Sequence, residues 1–144
     1  MSAVQPQDRE AAISAIHAEA GGLLRVYLFG ASEGARLLLA AACGDGWAYG
    51  MLGAINDCAR HIVDAPRAAP ALCLTCPMPL RELPGLTFCV VVPEATNPHH
   101  VLGSAICPAC AARPDLERRV TAALRQIWPD LREISVMPGP AGLQ

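Results

Sequence analysis

Apolar residues in the first 65 positions recur mainly at helical spacing, and those after residue 85 fall mainly in short β-branched runs. In residues 8–20, Ala11, Ala12, Ile16 and Ala20 can share a face with Ile13, and Gly21-Gly22 stops that helix. Leu23 to Phe29 is apolar, but too short for its period to separate a strand from the start of a buried helix. Ser32 is placed to cap a helix from Glu33 to Cys43 with Leu37, Leu38 and Leu39 in the core. After the Gly44-Asp45-Gly46 break, Asp45 is placed to cap a helix over Trp47–Val63. Its apolar stripe is Leu52, Ile55, Ala59 and Ile62.

Residues 64–70 form an Ala/Pro-rich connector. Leu86–Val92 reads as the strongest strand, ended by Pro93. Pro93–His100 reads as a turn or short loop, and Val101–Ile106 as a second strand. Asp115, after Pro114, is placed to cap a helix reaching about Trp128, with Leu116, Val120, Ala123, Leu124 and Ile127 on one face. Ile134–Met137 supplies a last short strand, and residues 138–144 read as a flexible tail. The pattern predicts an α+β chain forming one compact domain over residues 1–144. Residues 1–65 are its mainly helical part and residues 72–137 an αβ module.

A content of 53% hydrophobic residues excludes a generic disordered chain. A formal net charge of -2 argues against a general grip on nucleic acid, which runs on positive charge. Residues 115–133 hold Arg118, Arg119, Arg125 and Arg132, but also Asp115, Glu117, Asp130 and Glu133, so a solvated helix face is expected there. The polar start carries no basic-then-apolar leader pattern, and the densest apolar run, Leu37–Cys43, is too short to span a membrane. A cytoplasmic location is the expectation. The odd number of cysteines, seven, suits a reducing compartment, where they serve as thiolate ligands or apolar fillers.

Chemistry is named most clearly by two C-x-x-C pairs, Cys73/Cys76 and Cys107/Cys110. Each brings two sulfurs toward one metal, and the strands between them can return the second pair to the first. Four thiolates fill a zinc shell and leave no position for a substrate water, so the expected ion is Zn in a structural role. Iron–sulfur ligation and a dithiol couple are the competing readings. The order of knuckle, strand pair, second C-x-x-C and helix, over about residues 72–128, resembles the treble-clef zinc modules, with the zinc ribbon as a neighbouring topology. The resemblance implies a zinc-finger-like fold with Cys73 and Cys76 in the knuckle and Cys107 and Cys110 near the start of a helix. Pro114 departs from the pattern, being placed to split residues 107–113 from the main helix.

Cys43, Cys58 and Cys89 sit in apolar patterns and read as buried fillers. His99 and His100 precede the second pair; an exposed loop pair is expected, with a ligand or partner contact as the alternative. Asp57, His61 and Asp64 share helical spacing beside Cys58 and read as a polar face. Trp47 and Tyr49 are expected in the core or between helices. No nucleophile elbow, zinc-protease or phosphate-loop motif occurs. The expectation is a zinc-stabilised binding or adaptor protein without an enzyme site, with a protein as partner and a homo-oligomer as a further option. Two alternatives stand beside it. One is a small enzyme with a separate pocket using Asp57, His61, His99 or His100. The other is a nucleic-acid binder using Arg118, Arg119 and Arg125.

Overall fold

The computed structural model describes residues 6–94 and 100–137, with side chains from Arg9 onward. The element order is α1 (Pro6–Ala20), β1 (Leu23–Phe29), α2 (Ala31–Ala42), α3 (Gly46–Asp64), β2 (Thr87–Pro93), β3 (Leu102–Ile106), α4 (Pro108–Ala111), α5 (Leu116–Ile127) and β4 (Glu133–Met137). The α+β reading is borne out. The tail at 138–144 and residues 95–99, which include His99, lie outside the described residues.

Four strands form one sheet in the order β3-β2-β1-β4. β1 runs antiparallel to β2 and parallel to β4, and β2 runs antiparallel to β3. The ambiguous Leu23–Phe29 run is therefore a central strand. Apart from Arg25, which is exposed and pairs with Glu94, it is apolar on both sides because both of its faces are covered. Leu24 and Val26 join Ile16 and Ala20 of α1, Leu124 of α5 and Trp128, while Tyr27 and Phe29 join Leu37 of α2 and Ala48, Met51 and Ala54 of α3. The result is a sheet between two helical layers. Because β1 comes from the helical half and β2, β3 and β4 from the cysteine-bearing half, the sheet interleaves the two.

Trp128 fastens one layer. It is 1% exposed, and its Nε1–H donates to the Ile13 carbonyl at 3.0 Å, tying the end of α5 to α1. In the opposite layer, Trp47 meets Tyr27 edge-on with ring centroids 5.2 Å apart. Gly103 sets how closely α3 lies on the sheet: a Cβ there would come within 2.6 Å of the Ala54 carbonyl oxygen and 3.1 Å of the Cys58 Cβ. Only glycine admits so close an approach of helix backbone to strand.

Several local expectations are corrected. Gly30, rather than Ser32, is the N-cap of α2, and its N–H donates to the Glu33 carboxylate at 2.9 Å. Of the three consecutive leucines only Leu37 is buried; Leu38 and Leu39 are 64% and 68% exposed. Successive helical residues point about 100° apart, so three in a row cannot share a narrow buried face. Asp45 does cap α3, accepting from the Ala48 N–H at 3.2 Å. The buried stripe of α3 is Ala48, Met51, Ala54 and Ile62, with Leu52, Ile55 and Ala59 half-buried. The small residues of that stripe face the sheet because the helix lies so near to it. Trp47 is half-buried, whereas Tyr49 is 73% exposed. Cys43 is exposed as well, Cys58 half-buried, and Cys89 fully buried.

Candidate metal centre

The first cysteine pair sits in a short knuckle held by backbone hydrogen bonds. Leu72 bridges Pro79, the Cys73 N–H donates to the Met78 carbonyl at 2.9 Å, and the Leu80 N–H donates to Ala71 at 3.0 Å. One further bond, from the Leu74 N–H to the Ala105 carbonyl at 2.9 Å, fixes the knuckle to the end of β3. The chain leaves β3 directly into Cys107, the N-cap residue of α4, and Cys110 lies within that one-turn helix. The backbone alone thus brings two segments 31 residues apart, at Cys76 and Cys107, to one place.

All four sulfurs lie within 4.8 Å of one another. The Cys76 and Cys107 sulfurs are 3.7 Å apart. A tetrahedral ion with metal–sulfur bonds of about 2.3 Å requires sulfur–sulfur edges of about 3.8 Å. The set therefore fits one tetrahedral ion. Cys73, Cys107 and Cys110 are 2–5% exposed and belong to the main core, while Cys76 is half-buried at its margin.

The two sulfurs of the first pair stand in opposite electrostatic surroundings. Burial opposes ionisation of Cys73, but the Thr75 hydroxyl at 3.5 Å and the Cys107 N–H at 3.3 Å outweigh it and bring the thiol down to about 6. For Cys76 the Met78 N–H favours the thiolate, yet burial and the neighbouring sulfurs of Cys110, Cys73 and Cys107 prevail and push it up to about 12. Four close thiolates repel one another, and a bound cation removes that obstacle. Thr75, inside the first C-x-x-C, is a supporting residue that the spacing alone did not single out.

The other residues of interest fall elsewhere. His100 pairs with Glu19 of α1 and stands apart from the sulfur cluster. Asp115 occupies the N-cap position of α5 without capping it; its carboxylate instead accepts from Arg113, Arg118 and Arg119 at 3.0, 3.4 and 3.2 Å. Arg125 donates to the carbonyls of Leu131 and Arg132. Asp57, Cys58 and His61 do come together, along one cleft that also receives Arg9 from α1; Asp64 does not line it. No sequence signal linked Arg9 to that group, because the contact is made between distant helices.

Neither a family model, nor a curated protein, nor a solved structure matches this chain. Among the described residues no helix is long and apolar enough to cross a membrane. The buried four-cysteine cluster, able to hold one metal ion, is accordingly the feature on which a functional reading rests.

Proposed function

We propose that this chain is a zinc-stabilised binding or adaptor protein whose partner is another protein, with Cys73, Cys76, Cys107 and Cys110 as the four zinc ligands. The carrying observation is the cluster of four sulfurs, all within 4.8 Å of one another and three of them on buried residues. Four cysteines suit zinc, complete its shell, and leave no site for a substrate water, so the ion's role is to hold the knuckle against β3 and α4. The order of knuckle, strand pair and helix-borne second pair supports a treble-clef-like module. Pro114 modifies it: α4 ends at Ala111 and α5 begins afresh at Leu116.

Exposed apolar side chains support the binding role. Leu38 and Leu39 of α2 and Tyr49 of α3 are 64–73% exposed, and Leu72 and Met78 project from the knuckle. Large apolar side chains left in water on one helical hairpin suit contact with a protein. Nucleic acid is a weaker match, because Arg118 and Arg119 both pair with Asp115 and Arg125 donates to the Leu131 carbonyl, so all three are engaged within the chain.

Elemental analysis of freshly purified protein tests the metal assignment. One zinc per chain is expected, falling sharply in Cys110→Ser. Equal zinc in that variant would remove Cys110 from the ligand set and the reading with it.

A further inference from the structure

The β3 edge of the sheet is paired over only part of its length. Ala105 turns its carbonyl away from β2 to accept the Leu74 N–H. Backbone groups two residues apart in a strand point the same way, so Gly103 also directs its N–H and C=O outward. Among the described residues neither group has a hydrogen-bond partner. α1 and α3 overhang this edge from opposite faces and enclose a cleft of ≈ 190 Å³, with Gly103 in its lining.

Arg9, Asp57 and His61 line that cleft, and none forms an ion pair or side-chain hydrogen bond with another described residue. Arg9 and Asp57 carry opposite charges in one small space, yet stand beyond ion-pair distance of each other. The rest of the wall is apolar, with Ala54 from α3, Leu102 from β3 and Val101 just before it. The cleft is smaller than the 300–1,000 Å³ typical of drug-sized ligands, so its occupant has few heavy atoms.

Charge decides what kind of small molecule fits. A simple carboxylate would meet Arg9 but be repelled by Asp57, and a simple amine would meet the reverse. A molecule bearing both groups satisfies both residues, and the outward Gly103 N–H and C=O match the same two groups. We propose that the cleft binds a free α-amino acid with an apolar side chain. Arg9 and the Gly103 N–H receive its carboxylate, Asp57 and the Gly103 carbonyl receive its ammonium, and its side chain lies on Ala54, Val101 and Leu102. Burial pushes the Cys58 thiol up to about 11, so it stays protonated at neutral pH and serves as wall rather than nucleophile. The site is separate from the four-cysteine cluster, and this assignment does not rest on the metal reading.

Calorimetric titration of the full chain, as purified, with L-valine, L-leucine and L-methionine tests it. Saturable millimolar or tighter binding of at least one is expected. Taking L-valine as the example, 3-methylbutanoate and isobutylamine, each lacking one charged group, should bind about tenfold or more weakly, the effect of one lost charge-assisted contact. Arg9→Gln and Asp57→Asn should each weaken the amino acid by a similar factor, with unchanged zinc content and circular dichroism. Absence of saturable binding for all three amino acids would overturn the proposal. So would 3-methylbutanoate binding as tightly as L-valine, a comparison made on the unmodified chain that no folding defect can confuse.

Discussion

Replacing Gly103 with alanine puts the packing of α3 on the sheet to a direct test. The new Cβ would lie 2.6 Å from the Ala54 carbonyl oxygen, 3.3 Å from its carbonyl carbon and 3.1 Å from the Cys58 Cβ. Real Cβ atoms essentially never approach within 3.0 Å, so the oxygen must retreat by at least 0.4 Å, the difference between the two distances. The obstructing atoms are helix backbone in the middle of α3, so the helix must shift as a body. Overpacking of this kind costs about 1–3 kcal/mol, and a rigid backbone obstacle points to the upper half of that range. For a chain of this length that is roughly 5–10 °C in melting temperature. Gly53→Ala, on the exposed side of the same helix, is the matched control. Its Cβ would meet nothing within 4 Å, and alanine is favoured over glycine in a helix by about 1 kcal/mol. Urea unfolding of both variants beside the parent should therefore move in opposite directions. A Gly103→Ala midpoint equal to that of the parent would refute the close approach of α3 to β3.

Further outcomes follow from the same geometry. Asp115 is held down to about 2, first by the hydrogen bond from Arg113, then by Arg119. Its contribution should be complete above the ordinary carboxylate range and fade as pH falls through about 2, and a carboxyl-carbon NMR titration should show that midpoint rising in Arg113→Gln. Burial pushes the Cys89 thiol up to about 12, whereas Cys43 is exposed. Mass spectrometry after brief alkylation of the folded, zinc-loaded chain should find Cys43 modified first, and all seven cysteines only after unfolding with a chelator. The double substitution Leu38→Glu, Leu39→Glu alters two exposed positions, so unfolding free energy should stay within about 0.5 kcal/mol for each. Light scattering should show less self-association in that variant if the α2 surface joins copies of the chain.

Element positions were largely legible because caps, glycine breaks and prolines are local signals. Asp45 and Gly44-Gly46 delimited α3 well, and the β-branched run through Val90–Val92 could be little else. Spatial arrangement was less legible. Leu23–Phe29 carries no clear period, and its place between β2 and β4 is set by covering both faces, which no local window reports. The burial of α3 on Ala48, Met51 and Ala54 rather than on Leu52 and Ile55 goes with the close approach of Ala54 to Gly103, a residue nearly fifty positions away. In the sulfur cluster the four residues were legible from spacing, since C-x-x-C turns act over four residues and the strands return the second pair. The support of Thr75 and of the Cys107 N–H required the folded geometry. The cleft was half legible: of Asp57, His61 and Asp64, which share a helical spacing beside Cys58, all but Asp64 line it, while Arg9 and the floor at Gly103 come from other elements.

Zinc-edge X-ray absorption on the freshly purified chain addresses the clamp between knuckle and β3 most directly. The account predicts a single zinc surrounded by four sulfurs at about 2.3 Å, with no nitrogen or oxygen in the shell. A zinc coordinated by fewer sulfurs, or a chain that purifies folded with these thiols free and no metal, would contradict it.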